Sequence, residues 1–222
     1  MPGESVIVEA IRDAAADRVP VRIVGCGMWL DAGHPVQAAR TVSVAAETGV
    51  VEYTPGDLTI TVRAGTTLGE IDDVLATHQQ WLPCDPMGGK TGSIGATVAT
   101  CSYGPLAALF GTPRDQVLGM TVVTGTGEVL QAGGRVVKNV AGFDLTRLMT
   151  GAWGTFGVIT QVTLRVRARG TNLQAFEHMR WEMPSEYGYR EPVIAHPALS
   201  AAIRRVFDPH HILNVGIMGE TL

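Results

Sequence analysis

The chain has 222 residues, is 45% hydrophobic and carries a formal net charge of −4, which allows one sizeable core or two small lobes that share one. No basic run stands out, and lysine occurs only at Lys90 and Lys138, which argues against nucleic acid as a partner. Cys26, Cys84 and Cys101 are widely spaced with no CxxC pair, which argues against a disulfide framework, a zinc site or an iron–sulfur cluster, so no metal is expected.

Val6, Ile7, Ala10, Ile11, Ala14 and Ala15 recur at helical spacing and predict a first helix that Pro20 ends. The same stretch carries acids where a signal peptide needs positive charge, and no apolar run approaches the ~18 residues of a membrane span. A reducing, cytoplasmic setting is expected, with any membrane contact made through a partner and none by insertion. "VRIV" (Val21 to Val24) reads as a strand, "GCGMWLDAG" as a loop and "TVSV" (Thr41 to Val44) as a second strand. "GVVEYTPGDLTITVRAG" reads as two strands about a Pro55-Gly56-Asp57 turn. "TTLGEIDDVLATHQQ" is a helix opened by Thr66 or Thr67, with Glu70 in its first turn.

After "WLPCDP" the texture changes to "MGGKTGSIGATVATCSYGP", rich in small residues yet too apolar for a disordered linker. "VLGMTVVTGTGEVLQAGG" is a hairpin turning at Thr124 to Gly127. "DLTRLMTGA" is a short helix capped by Asp144, and "FGVITQVTLRVRAR" a long strand with Val162, Leu164 and Val166 on one face. Beyond Gly170, Phe176, Met179, Trp181, Met183, Tyr187 and Tyr189 crowd a stretch without clean period, before a final helix from Ala198 to Val206 and "FDPHHILNVGIMG". The expected organisation is α+β in two lobes. Residues 1–82 form a small lobe containing parallel pairing, 83–170 a mostly antiparallel lobe, and 171–222 a short C-terminal segment with a helical tail.

Three glycine-dense stretches, 25–33, 88–104 and 142–157, punctuate these elements. Turns of this kind aim backbone N–H groups at anions. The first stretch contains no Lys or Arg, so a phosphate there would rest on backbone dipoles alone. A GxGxxG fingerprint fails because Leu30 stands where its last glycine belongs, and the Lys90-Thr91 pair is out of frame for a Walker loop. Each stretch taken singly also fits a plain tight turn.

Their order is more specific. "GCGMWLDAG", "TPGDLTITVRAGTTLGEIDDVL", "LPCDPMGGKTGSIGATVAT" and "GTPRDQVLGMTVVTGTGEVLQAGGRVVKNVAGFDLTRLMTGAWGTFGVIT" resemble, in order and spacing, the FAD-binding domain of the vanillyl-alcohol oxidase/PCMH superfamily. Within it, the likeness is to the FAD-binding subunits of bacterial glycolate oxidases. "FDPHHILNVGIM" resembles that superfamily's terminal signature, with Val215 where Pro is usual. The resemblance implies a two-lobed PCMH-type fold with FAD extended between the lobes. It places Gly25, Cys26, Gly27, Met28 and Trp29 on the pyrophosphate. It places Pro86, Ser93, Ile94, Gly95, Thr100, Cys101 and Gly104 along pyrophosphate, ribityl chain and flavin, and Gly154, Gly157, Val158 and Ile159 by the adenine. Gly95 is expected to let backbone approach the cofactor, whereas Lys138, Asn139 and Asp144 read as structural.

The sequence departs from the pattern in places. Met28 stands where flavinylated relatives carry His, so FAD is expected to bind noncovalently, and Cys101 stands where Asn is frequent. Only residues 171–196 occupy the place of a substrate domain, which in relatives holds the base and the carboxylate-binding arginines. His210, His211 and Asn214 are the remaining candidates for catalysis; surface packing is the alternative for the histidines. The aromatic segment 176–189 fits a cover for the flavin, an interface or ordinary packing. Three readings stay open: a flavin oxidoreductase acting on a small hydroxy acid or alcohol; a FAD-carrying, electron-passing module in a homodimer or a complex with other glycolate oxidase-type subunits; and a truncated cofactor scaffold.

Overall fold

The computed structural model describes residues 2–133, 144–170 and 192–220. The expectations for Lys138, Asn139 and the aromatic segment 176–189 fall outside the described residues. Helix α1 (Pro2–Asp17) turns Ile7, Ile11 and Ala14 into the core and leaves Val6 63% exposed. The 3.6-residue period thus selects Ile7 rather than its neighbour for burial. Arg18, in a left-handed conformation, turns the chain into β1 (Val21–Val24), which pairs in parallel with β2 (Arg40–Ser43).

A distant segment extends this small sheet. Leu213 bridges Val21 in parallel, with Val21 N–H donating to Ile212 O and Asn214 N–H to Val21 O. Helix α7 (Pro197–Phe207) leads into that segment. The fully buried Asp208 accepts from the N–H groups of Ile212 and Leu213, both at 3.0 Å. Arg204, also buried, donates to Leu213 O at 2.6 Å and pairs with Asp208 and Glu220. A charge this deep is tolerable because each of its bonding groups has a partner.

Strands β3 (Val50–Thr54) and β4 (Thr59–Arg63) flank a 3-10 turn at Pro55–Asp57, as the proline–glycine signal predicts. They join the long hairpin of β6 (Val117–Val123) and β7 (Val129–Gly133) through β8 (Val158–Arg165). The order is β3-β4-β8-β6-β7, antiparallel throughout, so strands from both sides of residue 82 share one sheet. Ile60, Val62, Val122, Val162 and Leu164 of this sheet share one core with Leu68, Ile71 and Leu75 of α2 (Leu68–Ala76). Thr67 and Glu70 close a reciprocal capping box on α2, a device worth about 1 kcal/mol. Two residues, Gln80–Trp81 (β5), pair with Arg167–Ala168 (β9).

Three helices fall where the residue pattern carries no helical signal: α3 (Ile94–Thr100), α4 (Ala107–Phe110) and α5 (Pro113–Gln116). Within α3, Ile94 and Val98 are fully buried among small neighbours, so polarity does not alternate strongly enough to reveal the period. The expected Asp144 cap is present on α6 (Leu145–Met149), accepting from Arg147 N–H at 3.1 Å. The architecture is therefore α+β, a small parallel sheet beside a five-stranded antiparallel one.

Candidate functional site

A cleft open to solvent lies against both sheets. Its walls come from the end of β1, the loop after it, one face of α3, residues 153–159 and the distant segment carrying Asn214 and Ile217. Of the sequence-expected residues, Gly25, Gly27, Met28, Trp29, Gly95, Thr100, Gly154, Gly157, Ile159 and Asn214 line it. Among the described residues, no carboxylate does.

The loop after β1 is the polar end. Among the described residues, the backbone N–H groups of Gly25, Cys26, Gly27 and Met28 have no protein acceptor. Gly27 has φ +79, which lets consecutive N–H groups turn to one side as an anion nest. A Cβ on Gly25 would fall well inside 3.0 Å of Ser93 Oγ. That hydroxyl is buried and has no hydrogen-bond partner. Ser93 occupies the N-cap position of α3 without spending its side chain on the cap. The unengaged N–H groups on the cleft lining fit a group rich in acceptor oxygens. The first N–H groups of α3 do not contribute, since Ile94 and Gly95 donate to Thr66 O and Ala64 O.

One cation was missed by reading the loop alone. Arg22, within β1, lines the cleft, and its guanidinium donates to Leu30 O across the loop. The loop itself contains no Arg, but the strand before it brings Arg22 to the same cleft.

Another part of the lining is apolar and aromatic. Trp29 meets Trp153 edge-to-face with ring centroids 6.3 Å apart, and Val36 and Ile217 complete this end. Residues 151–153 hang on the last turn of α3, with Gly151 N–H donating to Val98 O and Trp153 N–H to Ala99 O. Asn214 joins the two halves of the cleft: its Oδ1 accepts from Ile23 N–H at 2.8 Å and its Nδ2 donates to Trp153 O at 2.7 Å. Gly154, at φ +70, leaves space that a Cβ would take at 2.8 Å from that Nδ2.

Gly95 lines the cleft and is also a point of close packing within the protein. Its absent side chain makes room for Ala64, whose Cβ and carbonyl oxygen would lie 2.7 and 2.8 Å from a Cβ there. The close approach is between helix and strand. Gly157 likewise admits Val122 of β6.

The other expected residues do not line the cleft. Cys26 is exposed, its thiol 3.7 Å from Gly65 O. Ile94 and Val158 are buried in the core just behind the wall. Pro86, Cys101 and Gly104 form a second group. There the buried Asp85, not foreseen, accepts from Gly104 N–H at 2.9 Å and Leu106 N–H at 2.8 Å, while Ser102 Oγ accepts from Met87 N–H. Burial pushes the Cys101 thiol up, with Arg114 opposing, so it stays protonated at neutral pH. His210 and His211 are exposed after α7 and do not reach the cleft. Both polar ends of Asn214 are engaged with backbone, which suits positioning better than proton transfer. Among the described residues, no cluster of His, Cys, Asp or Glu could hold a metal.

Comparison with known proteins gives the family and the fold. The pattern of the FAD binding domain family matches residues 4–133. The chain is 40% identical over 164 residues to the glycolate oxidase subunit GlcE of Escherichia coli (strain K12), covering 73% of this chain and 47% of that protein. It is 32% identical over 167 residues to a D-lactate dehydrogenase of Archaeoglobus fulgidus, covering 74% of this chain and 37% of that one. A solved alkyldihydroxyacetonephosphate synthase shares the fold with a TM-score of 0.62 at 23% identity, over 73% of this chain and 30% of that chain. The chain thus spans less than half the length of these relatives.

Proposed function

This chain belongs to the FAD binding domain family, and from that premise we propose that it is the FAD-holding part of a glycolate oxidase-type oxidoreductase acting on a small 2-hydroxy acid. The observation that carries the proposal is the set of unengaged N–H groups at Gly25, Gly27 and Met28 on the wall of a cleft without carboxylates among the described residues. Such a wall suits the pyrophosphate of FAD, and the apolar end at Trp29 and Trp153 suits its adenine. Noncovalent binding follows from Met28, a side chain that forms no flavin linkage.

When bound, FAD supplies a two-electron acceptor for a hydride leaving the substrate's hydroxyl-bearing carbon. The chain's own residues bind and orient it: the Gly25–Met28 loop at the anionic centre, and Asn214 in fixing the distance between the two walls. Neither His210 nor His211 lines the cleft, so neither is assigned as the base that takes the hydroxyl proton. This favours working with other glycolate oxidase-type subunits, and the identity to GlcE supports it. Among the described residues no helix is long and apolar enough to cross a membrane.

The test is a spectrum of the purified protein, followed by acid precipitation. A flavin released intact as FAD supports the reading; a colourless protein that takes up no added FAD refutes it. Anaerobic addition of glycolate or D-lactate then separates the roles: bleaching only when a partner subunit is present supports the FAD-holding role, and bleaching by the isolated chain assigns it the whole reaction.

A further inference from the structure

We infer that Arg22 is the electrostatic anchor for the phosphates of a nucleotide in this cleft and, by the same guanidinium, the brace that holds the phosphate loop in its binding shape. The inference rests on the FAD reading above. Among the described residues, Arg22 is the one charged side chain in the cleft lining. Among them too, no carboxylate pairs with it, so its charge is not neutralised there. Its bond to Leu30 O uses only part of a guanidinium that carries five N–H donors. That bond spans the loop from before Gly25 to beyond Trp29, which fixes the segment whose N–H groups lack acceptors. A guanidinium can hold a carbonyl on one side while its charge and remaining donors face a phosphate oxygen on the other. The loop itself lacks a positive side chain, so the strand provides the charge from three residues upstream.

The test uses the full chain freed of flavin, titrated with FAD, ADP and adenosine at low and high salt, for wild type, Arg22→Met and Arg22→Lys. Arg22→Met is expected to weaken ADP and FAD about tenfold, as loss of a charge-assisted contact does, and to flatten the salt dependence. Adenosine, which has no phosphate, should change less than about twofold on the same scale. Arg22→Lys should recover most of the ADP affinity and its salt dependence. Thermal melts of the apoproteins report whether each variant keeps the fold. If Arg22→Met does not fold, the lysine variant decides: retained ADP affinity supports the anchor, and a tenfold loss overturns it. Equal weakening of ADP and adenosine by Arg22→Met, or no weakening of ADP, also overturns it. A wild-type chain that fails to bind FAD refutes the underlying reading, an outcome visible before any variant is compared.

Discussion

Replacing Asn214 by Asp changes one atom that bridges the two walls of the cleft. Asn214 is 7% exposed, and its φ of +42 is a conformation Asp also tolerates. Its Oδ1 bond from Ile23 N–H survives the change, but the Nδ2 that donates to Trp153 O at 2.7 Å becomes an oxygen facing an oxygen. The loss combines a missing hydrogen bond of about 1 kcal/mol with the burial of a charge aimed at an acceptor. Together these should destabilise the variant by about 3 kcal/mol at neutral pH. Protonation restores a donor, so the folded state favours the neutral acid and raises this carboxyl's pKa above its unfolded value of about 3.9. A raised folded pKa means stability that is present below the unfolded value and lost as pH rises through the folded one. Urea unfolding of variant and wild type, compared across the weakly acidic to neutral range, should show a small gap at the acid end that widens towards neutrality. Other carboxylates titrate alike in both proteins and cancel. A gap that is independent of pH, or below about 1 kcal/mol at neutral pH, would refute the bridging role.

Three further predictions follow from the same contacts. Gly154→Ala combines a left-handed φ with a Cβ 2.8 Å from Asn214 Nδ2, so thermal unfolding should report a loss of about 2 kcal/mol. Gly25→Ala should lower FAD affinity measured by flavin fluorescence, and a Ser93→Ala background should relieve much of the steric part, since only Ser93 Oγ lies within 3.0 Å of the new Cβ; no relief would place the clash elsewhere. Iodoacetamide at mildly alkaline pH should modify the exposed Cys26 before Cys101, whose thiol burial pushes up; mass mapping that finds Cys101 labelled first would contradict that environment.

Regular elements were legible in the sequence where side chains alternate strongly in polarity. The Pro55–Asp57 turn, the Thr67–Glu70 capping box and the Asp144 cap each announce themselves by residue types that have few other uses. Helix α3 was not legible, because Gly95, Ala96 and Ala99 pack by their smallness and small residues carry little period. For the site, glycine spacing marked residues of the cleft lining but could not tell room for a ligand from room for close backbone packing; Gly95 lines the cleft and also packs against Ala64. Arg22 and Asp85 were invisible for a different reason. Each acts across the chain, on Leu30 and on Gly104 and Leu106, so nothing adjacent in sequence marks it. Val36 and Ile217 are ordinary apolar residues until the fold sets them at the same end of the cleft.

The pairing of Leu213 with Val21 has a consequence for biosynthesis. The bond from Ile23 N–H to Asn214 spans 191 residues. During translation β1 and its phosphate loop leave the ribosome early, yet the neighbour that fixes them arrives only after nearly everything else described has been made. Closing so long a loop is entropically costly and slow compared with forming local hairpins. The antiparallel sheet can assemble as its strands emerge, whereas the nucleotide cleft stays unfinished until residues 212–214 dock. Nascent chains arrested before that segment should therefore present a folded sheet with an open β1 edge, a stage at which chaperones rather than cofactor are the natural occupants.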